Sequence, residues 1–238
     1  MVYTDMKMTA HLLILGLLIL SPAIIGKETK GTFSMEVTRT VTYPYLVITP
    51  EDFDAEQPAP LMLFLHGAGE RGDDLLAVKK HGPFSKLKEL EINCILLVPQ
   101  CPPGEGWVPE VLAGLLDEVE ARYVIDSSRI YVTGLSMGGH ATWALAGFQP
   151  ERFAAIAPIC ARGRSEDAAK LAGVSIWAFH GDADRVVPLE RAQAMIDTVK
   201  AAGGEPRFTI YPDAGHDAWT PTYNDPEFYS WLFSQKLP

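Results

Sequence analysis

Short, continuous apolar runs set the strongest limit on how this chain can fold. PLMLFLHG starts at Pro60, CILLVPQ at Cys94, RIYVTGLS at Arg129, FAAIAPIC at Phe153 and VSIWAFHG at Val174. A run of this length, closed by Gly or Pro, reads as a strand buried on both faces. RFTIYPD, from Arg207, reads as the last strand, and MEVTRTVTYPYLVITP, from Met35, as a strand or hairpin pair at one sheet edge. Helical patterns lie between the runs. PEVLAGLLDEVEARY is amphipathic from Pro109, MGGHATWALAGFQP follows Ser136, LERAQAMIDTVKAAGG has Pro188 before it and Gly203-Gly204 at its exit, and DPEFYSWLFSQ closes the chain. Alternation of this kind predicts an α/β fold: a mostly parallel sheet with helices on both faces and right-handed crossovers. In such a sheet the site lies at the C-terminal strand ends.

A length of 238 residues at 47% hydrophobic fits one domain with one substantial core. The net charge of −10 argues against a nucleic-acid partner, which needs a basic footprint. The N-terminus reads differently from the rest. Lys7 and His11 precede the apolar run LLILGLLIL, followed by Ser21-Pro22-Ala23. This is the pattern of a secretory leader over residues 1–26, so the protein is expected to be secreted or periplasmic, with the catalytic domain at 33–238. The apolar stretch is short for a membrane span, and no membrane partner beyond the leader is expected. Cys94, Cys101 and Cys160 match no zinc spacing and read as free thiols. One disulfide, Cys101 to Cys160, is the alternative in an exported protein. No metal or cofactor motif is present. Oligomeric state is not legible.

Gly134-Leu135-Ser136-Met137-Gly138 stands where an apolar run gives way to a helix. Gly-x-Ser-x-Gly in this context is a nucleophile elbow: the turn is sharp, the flanking glycines make room, and the serine points off the sheet. A serine hydroxyl needs a base, and chain order in this architecture runs serine, acid, histidine. Among six histidines, His216 in PDAGHDAW falls after the last strand. The acid belongs after VSIWAFHG, where Asp184 fits the His-Gly-x-x-Asp spacing and Asp182 is the alternative. Backbone donors for a developing oxyanion are expected at Met137, just after the nucleophile, and at Ala68 in His66-Gly67-Ala68-Gly69. Trp107 and Trp219 either line a substrate cleft or pack as ordinary tryptophans.

FLHGAGERGDD, VPQCPPGEGW, GLSMGGHATW, FAAIAPIC, HGDADRVVP and AGHDAW, in this order, resemble small bacterial carboxylesterases. These belong to the dienelactone-hydrolase and prolyl-oligopeptidase-like branch of the α/β-hydrolases. The resemblance covers residues 35–238. It implies an α/β-hydrolase fold and a Ser136, Asp184, His216 triad working through an acyl-enzyme. The implied donors are Met137 and Ala68. The implied substrates are small or polymer-attached carboxylic esters, including feruloyl and acetyl-xylan types. Serine stands where dienelactone hydrolases use cysteine, and the propeller of prolyl oligopeptidases is missing. Peptidase or thioesterase action is the alternative, followed by a non-catalytic binding protein on the same fold. Only ARGRSEDAAKLAG separates two of the apolar runs, too little for a lid domain with its own core.

Overall fold

The computed structural model describes residues 30–35, 38 and 40–238. The expected leader at 1–26 lies outside the described residues. Residues 1–41 and 42–238 form separate units, and the sheet, its helices and the candidate site all belong to the second.

Seven strands form one sheet: β1 (Tyr45–Ile48), β2 (Ala59–Leu65), β3 (Ile95–Pro99), β4 (Ile125–Leu135), β5 (Ala155–Ile159), β6 (Ser175–Gly181) and β7 (Arg207–Tyr211). Their order is β1-β3-β2-β4-β5-β6-β7. Of these, β1 runs antiparallel, pairing Tyr45 with Pro99 and Ile48 with Leu96. Among the described residues six α-helices accompany them: α1 (Phe84–Glu89), α2 (Pro109–Glu120), α3 (Met137–Phe148), α4 (Leu189–Ala201), α5 (Trp219–Asn224) and α6 (Pro226–Ser234). The expected α/β-hydrolase fold is the observed one.

The apolar runs became strands because both of their faces are covered. Every residue of β2, β3 and β5 is buried. Successive side chains in a strand point to opposite faces. Met62 and Phe64 join one core with Leu96, Val98, Tyr131, Ala157 and Phe179, to which α1 adds Leu87 and α6 adds Phe228, Tyr229 and Leu232. Leu61, Leu63 and Leu65 are equally buried and point the other way, where α3 crosses β2, β4 and β5 and packs against α2. Full burial of a Leu or Phe is worth about 1.5–3 kcal/mol, so the central strands carry much of the stability.

Some elements differ from expectation. From Met35 to Pro50 the only strand among the described residues is Tyr45–Ile48, and it pairs with β3, not with a hairpin neighbour. β4 begins earlier than RIYVTGLS, at Ile125, where Ala59 pairs with it across a register shift. The WTPTYN helix, α5, has no apolar periodicity, yet Tyr223 is buried within the core on Phe64 and Phe228. Between β5 and β6 lies one 3-10 turn, Ser165–Asp167, with no separate lid. Among the described residues no helix is long and apolar enough to cross a membrane.

Two glycines on helices give a paired test. A Cβ at Gly114, on the exposed side of α2, meets nothing within 4 Å, whereas one at Gly138 would sit 1.9 Å from the Leu65 carbonyl oxygen. Gly114→Ala should raise stability by about 0.5–1 kcal/mol through helix propensity. Gly138→Ala should cost roughly 2 kcal/mol or more, because backbone must shift to admit the methyl. Denaturant melts of the two variants check both signs.

Candidate active site

β4 ends at Leu135 and α3 begins at Met137, so Ser136 alone makes the turn. Its backbone sits at φ 53°, ψ −112°, a conformation that costs an L-residue on the order of 1–3 kcal/mol. The surroundings hold it there. The Ser136 N–H donates to the Ile159 carbonyl at 3.0 Å, with the Cys160 sulfur 3.2 Å away, and its carbonyl accepts from His140 N–H at 2.9 Å. Close approach makes the turn possible: a Cβ at Gly134 would lie 2.6 Å from Gly138 backbone, and one at Gly139 would lie 2.5 Å from the Ile159 oxygen.

β6 and the loop after β7 bring the other two predicted residues to this serine. His216 Nε2 lies 2.9 Å from Ser136 Oγ, and His216 Nδ1 lies 2.7 Å from Asp184 Oδ2. A carboxylate only accepts, so Nδ1 carries the proton and Nε2 is left to accept from the serine hydroxyl. Asp184 Oδ1 accepts the N–H groups of Val186 and Val187 at 2.8 and 3.0 Å. Burial raises the Asp184 carboxyl pKa, but the hydrogen bonds from His216, Val187 and Val186 outweigh that and hold it below the ordinary value. Asp182 remains exposed on the same turn, and its carboxylate does not contact His216. Asp217 instead caps the following turn through Thr220 N–H at 2.9 Å.

Ala68 opens a 3-10 turn, Ala68–Glu70, directly after β2. The buried His66 shapes that turn. Its Nε2 accepts Cys101 N–H at 3.0 Å, so Nδ1 carries the proton and donates to the Gly67 carbonyl at 2.6 Å. Carbonyl and N–H point oppositely across a trans peptide, so fixing the Gly67 oxygen fixes the Ala68 N–H the other way. Burial pushes the His66 pKa down to about 4, which keeps the ring neutral in this role. Met137 is the first residue of α3, and the first N–H groups of a helix have no intrahelical acceptor.

The two tryptophans separate. Trp107 donates from its indole to the His66 carbonyl at 3.3 Å and packs edge-on against Tyr43 at 5.0 Å, bracing the end of β2. Trp219 stands edge-on to His216 at 5.6 Å and tilted against His81 at 5.6 Å. Cys94, Cys101 and Cys160 are all buried free thiols.

The sequence reading missed two contributors. His180 ends 0% exposed, with Nε2 donating to the Val187 carbonyl at 2.8 Å and 3.3 Å from Asp184 Oδ2. It reads as the last apolar-run residue before Gly181, and only the fold reveals that the Asp184 turn closes over it. Cys160, at φ 43°, sets its sulfur against the Ser136 amide, a placement that spacing alone does not disclose. Among the described residues no cluster of His, Cys, Asp and Glu is arranged to hold a metal.

An open cleft of about 410 Å³ borders Ser136, with Val186, Val187 and Pro188 on one wall. A second depression, of about 450 Å³, lies at the opposite end of the sheet near Ser175 and Arg207, remote from these groups.

Comparisons with known proteins agree with this architecture. A solved thermostable esterase is 32% identical and superposes with a TM-score of 0.77 over 82% of this chain and 60% of that one. A candidate feruloyl esterase C of Aspergillus niger is 22% identical over 185 residues, 75% of this chain and 68% of that protein. A candidate carboxymethylenebutenolidase of Salmonella typhimurium is 26% identical over 133 residues, 46% of this chain, and the match spans about half (49%) of that relative's length. Residues 106–227, from the Trp107 loop to the start of α6, match the dienelactone hydrolase family, and the chain belongs to that family.

Proposed function

We propose that this protein is a serine-dependent carboxylic ester hydrolase. The observation that carries the reading is the continuous hydrogen-bonded line from Asp184 through His216 to Ser136, at 2.7 and 2.9 Å. The names of its relatives, esterase and feruloyl esterase, support the same class of substrate.

In this mechanism Ser136 Oγ attacks the ester carbonyl carbon while its proton passes to His216 Nε2. The imidazolium is stabilised by the Asp184 carboxylate, which stays ionised. The carbonyl oxygen gains negative charge and accepts from the N–H groups of Met137 and Ala68, each worth about a hundredfold or more in rate. Collapse of the tetrahedral intermediate breaks the bond to the alcohol oxygen, which leaves with the proton from His216. The acyl group now sits on Ser136. Water repeats the sequence: His216 takes its proton, the hydroxide adds to the acyl carbon, and Ser136 Oγ leaves with that proton. The acid is released and the enzyme is restored. Feruloyl and acetyl esters on plant polysaccharides fit an uncovered cleft, because a polymer needs access that a closed pocket denies.

Ser136→Ala should lower hydrolysis of 4-nitrophenyl butyrate by about 10⁴-fold or more, with little change in melting temperature. A fluorophosphonate should label Ser136 alone, as read by peptide mass. Asp184→Asn should cost roughly 10³-fold or more, and Asp182→Asn no more than a few-fold; the reverse ranking would move the acid. The lidless cleft generates a further expectation. With one 3-10 turn between β5 and β6, little apolar wall exists to bury a long acyl chain. kcat/KM should peak at acetate to butyrate and fall toward palmitate. Tributyrin hydrolysis should rise smoothly through its solubility limit.

A further inference from the structure

His180 stands outside the line from Asp184 through His216 to Ser136, yet it touches one end of it. It is the penultimate residue of β6, paired with Ile210 of β7 and 0% exposed. Phe179, the residue before it, enters the core shared with α6, so the His180 ring points to the other face of the sheet, where α3 lies. Its Nε2 is 2.8 Å from the Val187 carbonyl oxygen, which only accepts, so Nε2 carries the proton. The same nitrogen lies 3.3 Å from Asp184 Oδ2, the oxygen that also faces His216 Nδ1 at 2.7 Å. Two histidines from different segments therefore converge on one carboxylate oxygen.

The other ring nitrogen, Nδ1, is buried and has no hydrogen-bond partner among the described residues. A bare acceptor in a core carries a penalty that a leucine of similar size would avoid. Packing alone therefore does not explain an imidazole here, and what it adds over an apolar side chain is the Nε2–H. That donor closes the turn bearing Asp184. Val187 is held on both sides, its N–H on Asp184 Oδ1 at 3.0 Å and its carbonyl on His180. The positive end of the N–H also sits beside the carboxylate, at the oxygen that faces His216. The other ionisable groups near the pair are His140 on α3, within electrostatic reach of His180 and His216, and Cys160 after β5, within reach of Asp184 and Asp217. Asp182 and Arg185 are exposed on the Asp184 turn, and His81 packs on Trp219, as His216 does.

We propose that His180 is a positioning residue for the Asp184–His216 pair: its Nε2–H fixes the turn from Asp184 to Val187 and offsets part of the charge that Asp184 presents to His216. The proposal rests on the ester-hydrolase reading and adds a residue to its machinery. Being fully buried, His180 does not reach substrate and acts only through Asp184. Without the N–H, less of the carboxylate charge is offset, so the His216 imidazolium is held more strongly. His216 then keeps its proton to higher pH, and the acid limb of the rate moves up. The loosened turn also lets Asp184 leave the geometry in which it orients His216, which lowers kcat.

Three substitutions replace the ring nitrogens separately. Gln places an amide N–H near the position of Nε2, Asn reaches only the position of Nδ1, and Leu supplies no donor. With 4-nitrophenyl butyrate, His180→Asn and His180→Leu should each lower kcat about tenfold, with KM within about twofold of native. The ratio of kcat/KM at about pH 6 to that at about pH 8 should fall about threefold in both. His180→Gln should recover most of kcat and of the native ratio. Melting temperatures are measured alongside, because each substitution alters a buried site; where His180→Leu fails to fold, the Asn and Gln variants carry the comparison. In the Ser136→Ala protein, NMR titration of the His216 ring should show it keeping its proton to higher pH when His180 is replaced by Asn or Leu, with no turnover involved. If hydrolysis requires Ser136 but the pH ratio and the titration stay native in His180→Asn, or His180→Gln is as impaired as His180→Asn, the proposal is overturned while the hydrolase reading stands. If Ser136→Ala leaves ester hydrolysis intact, the hydrolase reading fails, and the titration alone decides whether His180 acts on the pair.

Discussion

One residue in a costly backbone conformation organises this molecule. Ser136 turns the chain from β4 into α3 at φ 53°, and nothing local favours that angle for a serine. The compensation is collective. β5 supplies the Ile159 oxygen, and the absence of side chains at Gly134, Gly138 and Gly139 lets helix and strands meet at contact distance. The apolar strands on either side make that compensation rigid, because their side chains are buried on both faces and cannot yield without opening the core. Strain at the hydroxyl and tight packing around it are therefore two aspects of one arrangement.

The polar groups around the serine follow the same economy. Buried or half-buried atoms are satisfied mostly by backbone. Asp184 takes two N–H groups from its own turn, and His66 uses both ring nitrogens on main chain. Such partners cannot rotate away, so Asp184 and the loop after β2 are oriented before any ligand arrives. This fits an ester hydrolase, in which charge develops briefly and rewards donors that are already in place.

Much of this was legible in the sequence, for stateable reasons. Short apolar runs closed by Gly reveal parallel strands because full burial leaves no polar alternation. Gly-x-Ser-x-Gly reveals the elbow because the turn tolerates nothing larger. The pairing of Asp184 rather than Asp182 with His216 was suggested by spacing, and the structure brings that pair together. What stayed hidden depends on distances between remote segments. Tyr223 becomes a core residue only because α5 lands beside Phe64. Trp107 braces His66 from a loop forty-one positions away. Arg162 and Arg191 meet one cleft because Gly163 lets the segment after β5 press on Met195. No period or motif encodes such meetings.

Gly181, at the end of β6, has a further consequence. A Cβ there would lie 2.3 Å from the carbonyl oxygens of both Ala214 and Gly215, and Ala183 N–H donates to that same Ala214 oxygen at 2.9 Å. The turn bearing Asp184 and the turn bearing His216 are thus seated back to back and behave as one mechanical part. An insertion in either would displace both. The Trp107 loop after β3 and the stretch between β5 and β6 that carries Arg162 lie outside that part. A change in those two segments alters the border of the cleft and leaves Asp184 and His216 in register.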